Sequence, residues 1–448
     1  MNMLKPEPNG SDERFFSQML DAVCAHCPCS GKKAEEWVLY AQVVAPFMVA
    51  FVEWIFKSAN QDNVKRLYFL ARDGQILWKI ASRLIKAGVT DIDCRYLFAS
   101  RQALHLPGHI DISQSKNWIL ENTNHLSIQT IAGRLQTDPI KLSQALGISH
   151  SQPFDKNLST VERNEISFLI EMPSALQLIN SSTQQAFNLA SGYFRQEGLL
   201  SEKPVPFGLV DVGWHGRLQR SIENILKKNG APCSQVYGYY LALNDNFVFS
   251  GVDAKRLKAF MYAPSGPHEG KWILDHVEMI ELLHAADHAS TMCYTQHENG
   301  LYGATFLPSQ LKNGADFRHH AILAFVDEYA KLRTQFGRAI SMPSCIKNIK
   351  KILHWPNKRQ AELFIEYEHS EHQDEQQSSP YVVKKIPYQY TFIGPTHNIH
   401  GRWPEGSHAL NKTILIYRLL RTASKIKKKI IPNTKISQTS NLSKKITQ

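Results

Sequence analysis

One stretch of this chain, residues 66–84, constrains the fold more than any other. Residues 67–71 form a short apolar run rich in aromatic side chains, which is typical of a buried strand. The run ends at Arg72-Asp73-Gly74, and apolar residues then recur at helical spacing. Ligands of open α/β folds bind beyond the carboxyl ends of strands, and a helix N-terminus favours anions. The pattern therefore predicts either a ligand site or a surface loop in which the arginine and the aspartate pair.

A second strand is predicted at residues 93–99, and it ends in the polar step Ser100-Arg101. A strand, a helix and a strand at this spacing form a βαβ unit, whose strands are parallel. The polar ends of both strands then lie at the same edge of the sheet. A guanidinium fork matches phosphate oxygens, so this edge suits a phosphorylated ligand. A salt bridge from Arg101 to Asp73 is the alternative and is compatible with a site.

Residues 206–228 repeat the pattern of residues 66–84, in which a strand is followed by a glycine-containing turn and a helix. Residues 206–212 predict a strand with Asp211 near its end, and an amphipathic helix follows at 218–228. Between them stands Gly213-Trp214-His215-Gly216, in which two glycines let the backbone approach an anion closely. The turn is neither a Walker loop nor a dinucleotide-binding Gly-x-Gly-x-x-Gly motif. A glycine-rich turn with a satisfied aspartate is the alternative to a site.

The residue types in these turns predict catalytic and phosphate-binding roles. Asp73 and Asp211 are the candidate catalytic acids and Mg²⁺ ligands, and His215 is a catalytic candidate because imidazole titrates near neutrality. The predicted phosphate ligands lie in the three turns: Arg72, Gly74, Ser100, Arg101, Gly213, Trp214 and Gly216.

A helix is predicted at residues 272–286, and it carries Glu281, His284 and His288 at the spacing of one face. A carboxylate and two imidazoles could ligate a metal, but a packed polar face is the favoured interpretation. Glu278 and Glu281 are candidates to hydrogen-bond a hydroxyl group of a ligand, and Glu281 is kept in the predicted site.

The predicted fold is α/β, a Rossmann-like and mostly parallel sheet with a helical insertion and a basic C-terminal tail. Six segments are predicted: an N-terminal segment (1–34), a first α/β half (35–110), a cap-like helical insertion (111–200), a second α/β half (201–310), a helix with an irregular region (311–410) and a helical or disordered basic tail (411–448).

The net charge of +11 describes the tail more than the body of the protein. Residues 411–448 contain ten Lys or Arg and no acid, so the remainder is nearly neutral and no nucleic acid partner is expected. The tail either lies on an anionic inner-membrane surface or is solvated.

Seven cysteines, an odd number, predict no disulfide framework and favour a reducing cytoplasm. The cluster Cys24, Cys27 and Cys29 would serve either a zinc ion or a plain loop. No signal peptide or transmembrane helix is predicted, and a cytoplasmic protein with a peripheral membrane contact is expected.

Four motifs resemble the carboxy-terminal region of predicted HAD-superfamily hydrolases, which occur with bacterial glycosyltransferases in surface-polysaccharide loci. The motifs are Phe69-Leu70-Ala71-Arg72-Asp73-Gly74, Ala99-Ser100-Arg101-Gln102-Ala103-Leu104, Asp211-Val212-Gly213-Trp214-His215-Gly216 and Trp403-Pro404-Glu405-Gly406-Ser407. The resemblance covers most of residues 35–310. It implies a hydrolase acting on a phosphorylated sugar or a nucleotide sugar, with Asp73 or Asp211 as nucleophile or Mg²⁺ ligand.

The chain departs from the HAD pattern at one point. A HAD phosphatase needs a second aspartate two residues after its nucleophile, whereas here Gln75 stands at that place. The Asp91-Ile92-Asp93 motif precedes a predicted strand instead of following one. In longer members the HAD motif lies in an amino-terminal domain, which we expect this chain to lack.

Three functions therefore stay open. The first is a phosphohydrolase or transferase acting on a phosphorylated sugar or nucleotide sugar. The second is a non-catalytic module that binds a phosphorylated ligand within a polysaccharide-assembly complex. The third is a glycosyl- or phosphoribosyltransferase, because residues 209–216 resemble a pyrophosphate-binding loop, although only one acid is present where that signature has two.

Overall fold

The computed structural model describes residues 13–109, 116, 118–121, 125–148, 153–308, 314–337, 339–370, 378–390 and 397–430. The predicted tail beyond residue 430 and part of the predicted irregular region near 370 lie outside these residues. The chain forms two compact units, one of Met1–Lys350 with Glu368–Ser378 and one of Lys351–Tyr367 with Ser379–Gln448. The six segment boundaries predicted from the sequence stay predictions.

The helices are numbered in chain order. They are α1 (Glu13–Ala25), α2 (Gly31–Leu39), α3 (Ala45–Gln61), α4 (Gly74–Lys86), α5 (Arg101–Gly108), α6 (Ile128–Arg134), α7 (Pro139–Leu146), α8 (Thr160–Leu169), α9 (Pro173–Glu197), α10 (Arg217–Lys228), α11 (Val277–His284), α12 (Ala315–Phe336), α13 (Met342–His354), α14 (Lys358–Glu362), α15 (His397–His400), α16 (Pro404–Leu410) and α17 (Ile414–Ile430). The strands are β1 (Arg66–Leu70), β2 (Asp93–Leu97), β3 (Phe207–Trp214), β4 (Val236–Leu243), β5 (Leu257–Tyr262), β6 (Thr291–Gln296), β7 (Tyr302–Phe306), β8 (Glu368–Ser370) and β9 (Ser378–Pro380).

A five-stranded parallel sheet in the order β2-β1-β3-β4-β5 forms the centre of the first unit. Leu70 pairs with Leu97, so the predicted parallel βαβ unit is confirmed. One face of the sheet packs on α5, α9 and α10 through buried residues such as Leu209, Ile222 and Phe194. The other face meets α3, where Trp54 contacts Tyr239 edge to face. Burial on both faces explains the continuous apolar runs of the central strands.

The long apolar segment near the amino end is a core helix of the first unit. Among the described residues, Gly31–Gln61 alone has the length and apolarity of a membrane span, and 83% of its most apolar window is buried inside the protein. A π-helical turn at Tyr40–Val44 separates α2 from α3, and Pro46 lies in the first turn of α3, where a missing N–H costs little. The π-helical turn interrupts the apolar helical segment just before Pro46.

Helices α6 to α9 lie between α5 and β3 and have a hydrophobic cluster of their own. Arg134 is buried among them and donates hydrogen bonds to the carbonyl groups of Trp118 and Ile119, at 3.3 and 2.8 Å. These bonds satisfy a charge that would be costly to bury alone. Whether this region acts as a cap stays a prediction.

The helix predicted at residues 272–286 has different bounds in the structure. The predicted helix at 272–286 is a 3₁₀ segment, Lys271–His276, followed by the short α11, which ends at His284. His288 therefore does not share a helix face with Glu281, and His284 is buried with its ring bonded to the carbonyl of Ile280. Asn299-Gly300 forms the turn of the antiparallel hairpin β6–β7.

The second unit contains the last of the four resemblance motifs. Trp403 is fully buried, and its indole N–H donates to the carbonyl of Leu353 at 3.0 Å. Glu405 is also fully buried and pairs with Arg421 and Arg418. The motif thus forms the core of this unit. After the motif, α16 ends at Leu410 and α17 runs from Ile414 to Ile430.

Candidate functional site

The candidate site lies between β1 and β3. From β1 the chain adds β2 on one side of the sheet, and it then adds β3, β4 and β5 on the other side. The helix after β1, α4, packs on α3 and α12, whereas the helix after β3, α10, packs on α5 and α9. The two connections therefore leave adjacent parallel strands toward opposite faces of the sheet, which opens a crevice at their carboxyl ends. The Ala71–Arg72 and Gly213–Trp214 peptide bonds beside this crevice are both cis. Two of the predicted turns border it.

Asp73 stands at the N-cap position of α4 but its side chain accepts no capping hydrogen bond. Its backbone is already helical, with φ −64° and ψ −25°, instead of the extended conformation in which an N-cap side chain bends back onto the helix. Gly74 follows because a Cβ there would lie 2.9 Å from the backbone carbon of Phe69. The carboxyl group of Asp73 therefore makes no capping contact with its own helix.

Three carboxyl groups influence one another across the crevice. Burial raises the pKa of Asp73 to about 7, and the charge of Asp211 adds to the rise. Burial likewise raises the pKa of Asp211 to about 7, with a contribution from Glu281. The pKa of Glu281 is also raised to about 7, by burial and by the charge of Asp73. Like charges in a desolvated place oppose ionisation, so this carboxyl cluster keeps protons close to neutral pH.

Trp214 fixes the orientation of Glu281. The strand β3 runs through Gly213 and Trp214, two residues that the sequence pattern placed in the turn, and the turn itself is His215-Gly216. The indole N–H of Trp214 donates to Oε1 of Glu281 at 3.0 Å. Gly213 has φ 140°, and a Cβ there would stand 2.1 Å from the carbonyl oxygen of Ala242. The predicted role of Gly213 in binding phosphate therefore competes with a packing requirement.

Arginine side chains surround the carboxyl cluster. The charge of Arg72, which is half-buried, lowers the pKa of Asp73, and the charge of the exposed Arg101 lowers the pKa of Glu281. Arg217 at the start of α10 lies 3.5 Å from a carboxylate oxygen of Glu121. The site thus combines protonatable acids with fixed cations, a combination that suits an anionic ligand undergoing proton transfer.

His215 is close to the arginines and is neutral at pH 7. Burial lowers its pKa, and the charges of Arg217 and Arg101 lower it further. The side-chain amide of Asn244 donates to Nε2 of His215 at 2.8 Å. A neutral imidazole held in this way can accept or donate one proton but carries no charge of its own for a phosphate.

Two of the predicted ligands are engaged in helix caps. The hydroxyl of Ser100 accepts from the N–H of Ala103 at 2.9 Å and donates to the carbonyl of Thr291 at 2.5 Å. Gly216 is the N-cap of α10 with φ 68°, a conformation that favours glycine. Their roles in ligand binding stay predictions. The helix caps by themselves explain why a serine stands at position 100 and a glycine at position 216.

Sequence reasoning missed Tyr96 as part of this site. Burial raises the pKa of Tyr96, and the charge of Asp73 raises it further. Its hydroxyl lies 2.7 Å from Nε2 of His288. Burial lowers the pKa of His288, and the charge of Arg72 is among the effects that lower it. Tyr96 lies within a predicted strand, and no local sequence pattern marks it as a site residue. Its position beside Phe69 follows from the parallel pairing of β1 with β2, which the sequence predicts.

The candidate site offers few protein ligands for a metal ion. Among the residues that the structure describes, no group of three or more His, Cys, Asp or Glu is arranged to hold a metal ion. Protein sites for Mg²⁺ commonly supply one or two carboxylates, and water and phosphate oxygens complete the coordination. The pair Asp73 and Asp211 has the oxygen donors for that smaller share.

A cavity of about 370 Å³ lies elsewhere in the first unit. It is lined by the loop that follows α9 and by residues at the amino-terminal ends of β3 and β4, including Gly198, Phe207 and Gln235. It therefore opens at the sheet edge opposite the carboxyl cluster, and none of the predicted site residues lines it.

The fold and the site define an α/β protein with a carboxyl cluster at the carboxyl edge of a five-stranded parallel sheet. Comparison with models of protein families found no match, and a search of curated proteins found none.

Proposed function

We propose that this protein is a HAD-hydrolase-like enzyme of the bacterial cytoplasm, which acts on a phosphorylated sugar or nucleotide sugar in surface-polysaccharide synthesis. The observation that carries the proposal is the placement of Asp73 and Asp211 at the carboxyl ends of two adjacent parallel strands, with Glu281 held beside them by Trp214. Burial and the charges of these acids raise all three pKa values, which agrees with that placement. We also propose that the sheet is Rossmann-like, since its strand order is one of the two common orders of doubly wound folds.

The second acid of a phosphatase would come from a neighbouring element instead of from position 75. Asp73 would attack phosphorus as a carboxylate, and the bond from phosphorus to the sugar oxygen would break. The departing oxygen would take a proton from the carboxyl of Asp211 or Glu281, whose pKa values of about 7 suit a general acid at neutral pH. The same group would then deprotonate the water that hydrolyses the acyl phosphate.

Positive charge would come from three sources. Arg72 and Arg101 would contact the non-bridging oxygens of the phosphoryl group and stabilise the charge that develops there. If Asp73 and Asp211 hold Mg²⁺ as carboxylates, the ion would neutralise phosphate charge and Glu281 would be the group that supplies the proton. The N-terminus of α4, which is 13 residues long, adds a favourable dipole.

A panel of sugar phosphates and nucleotide sugars tests the proposal. The full chain should release inorganic phosphate, or transfer a sugar, from at least one member, assayed with and without Mg²⁺. Asp73→Asn, Asp211→Asn and Glu281→Gln should each reduce kcat by about 10²-fold or more, because each removes a proton-transfer or nucleophilic group.

Asp91→Asn is the matched control. Asp91 is exposed and belongs to the Asp-x-Asp motif of the sequence, which precedes β2 and lies at the opposite edge of the sheet. This variant should keep full activity. Full activity in both Asp73→Asn and Asp211→Asn would contradict the proposal.

A non-catalytic binding module is the second candidate. It would need only the cations beside the carboxyl cluster, Arg72 and Arg101, whose charges act on Asp73 and Glu281. Such a module would be stabilised against heat by a sugar phosphate without turnover. The transferase alternative would instead show sugar transfer from a nucleotide sugar in the same panel.

A further inference from the structure

The outward face of α17 is an exposed apolar surface on a basic helix. Leu415 and Leu419 are 67% and 73% exposed, and Ile416 and Leu420 are each 40% exposed. These positions are spaced four apart in two pairs, so they lie on one face of the helix. We call this the α17 apolar face. A helix packed only against its own protein would expose polar side chains here.

Side chains on another face of α17, between residues 417 and 421, pack within the second unit. Tyr417 is buried and stacks on His408 with ring centroids 4.3 Å apart. Arg418 and Arg421 contact the buried carboxylate of Glu405. The helix is therefore anchored on one side, which leaves the α17 apolar face to meet something outside this unit.

A tryptophan lies next to the same helix. Trp355 is 49% exposed, and the guanidinium of Arg418 lies 4.8 Å from its ring centroid. Exposed tryptophan beside cationic side chains is typical of surfaces that rest at the level of lipid headgroups.

The charged residues of α17 itself, and of the sequence that follows it, are all cationic. Residues 411–448 contain ten Lys or Arg and no acid, and the eight that remain after Arg418 and Arg421 are all lysines. Four of these lysines lie between residues 425 and 429. A protein groove that accepts leucines would not need so many uniform cations, whereas an anionic lipid surface attracts them all. The helix is not among the described stretches long and apolar enough to span a membrane.

We propose that α17 docks this protein onto an anionic phospholipid bilayer, with its apolar face at the boundary between headgroups and acyl chains. The lysines that follow would lie among the anionic headgroups. The helix would lie in the plane of the surface, because its apolar residues form one face instead of the whole circumference. This inference does not depend on the proposed ligand site.

Co-sedimentation with lipid vesicles tests the proposal on the full chain. The protein should sediment with vesicles of phosphatidylcholine and phosphatidylglycerol, and much less with phosphatidylcholine alone. Raising the salt concentration should weaken the binding, because the lysine contribution is screened. Equal binding to both vesicles, or no binding to either, would overturn the proposal.

Two sets of variants separate the apolar and charged contributions. The double variant Leu415→Ser with Leu419→Ser should bind anionic vesicles about tenfold or more weakly, since two inserted side chains are lost. Replacement of Lys425, Lys427, Lys428 and Lys429 by Gln should weaken binding and reduce its salt dependence.

Leu301→Ser is the control for a general loss of surface hydrophobicity, because Leu301 is 56% exposed in the β6–β7 hairpin. It should bind vesicles like the unchanged chain. Sedimentation equilibrium without lipid completes the test. A dimer that the Leu415→Ser/Leu419→Ser variant abolishes, combined with no vesicle binding, would assign the α17 apolar face to a second copy and overturn the proposal.

Discussion

Asp73 occupies a position where a side chain usually caps a helix, yet its carboxyl caps none of the N–H groups of α4. At the scale of single residues, the missing cap leaves the carboxyl group of Asp73 available to the carboxyl cluster. Its pKa of about 7 is caused first by burial and then by Asp211, so the group is costly to ionise. A functional site often retains a residue in such an unfavourable environment, because the strained protonation equilibrium is useful for proton transfer.

The raised pKa predicts how Asp73→Asn changes stability with pH. Between pH 4 and pH 7 the folded state binds more protons than the unfolded state, so the free energy of unfolding falls as pH rises through this window. Asparagine cannot ionise, and the variant should therefore be more stable than the unchanged chain at pH 8, by about 1 kcal/mol or more. The difference should shrink toward pH 4.

Urea unfolding at a series of pH values measures this effect. Asp91→Asn, at an exposed position, should follow the unchanged chain at every pH. An Asp73→Asn variant that is less stable at pH 8 than at pH 4, relative to the unchanged chain, would exclude a buried, repelled carboxyl at this position.

At the scale of elements, α16 shows how a motif noticed in the sequence can serve packing. Trp403 precedes the helix and Pro404 opens it, in the first turn where proline is tolerated. The indole of Trp403 is held by the carbonyl of Leu353, and a Cβ at Gly406 would lie 2.4 Å from that ring. The glycine and the tryptophan are therefore required together by close packing.

Substitution of the two tryptophans of this unit should have unequal effects. Trp403→Ala should lower the free energy of unfolding by about 3–5 kcal/mol, because it removes a fully buried ring and its hydrogen bond. Trp355→Ala, at a ring that is 49% exposed, should cost less than about 1 kcal/mol. Urea unfolding followed by circular dichroism makes the comparison, and equal losses would contradict a core role for Trp403.

At the scale of the whole molecule, the sheet brings together acids that are far apart in the sequence. Asp73 follows β1, Asp211 lies in β3 and Glu281 lies in α11. Between Asp73 and Asp211 the chain passes through α4, β2 and the helices from α5 to α9. Parallel pairing of β1 with β3 places their carboxyl ends side by side. The carboxyl cluster is therefore a property of the topology.

A double-mutant cycle measures this long-range coupling. Asp73→Asn and Asp211→Asn each remove one of two repelling charges, so at pH 8 their effects on stability should fail to add by about 0.5–3 kcal/mol. The pair Asp91→Asn with Asp211→Asn should add, because Asp91 is exposed at the other edge. Additivity in both cycles would show that Asp73 and Asp211 do not influence each other.

Local signals in the sequence were sufficient for the βαβ unit, the parallel pairing of β1 and β2 and the turn after β1, whereas the turn after β3 is shorter than predicted. Apolar runs, glycine turns and helical spacing depend on a few neighbouring residues, so they are visible without the fold. Asp73 and Asp211 were predicted for the same reason, as acids at the ends of apolar runs.

Tertiary structure alone decided which residues meet and which are already occupied. The carboxyls of Asp73, Asp211 and Glu281 acquire their raised pKa values from burial and from one another, and neither cause exists in an isolated segment. The end of α11 at His284 removed His288 from the predicted helix face, and the cap of α5 occupied the hydroxyl of Ser100. The physical reason is that desolvation and charge coupling depend on distances through space, whereas a sequence pattern records only distances along the chain.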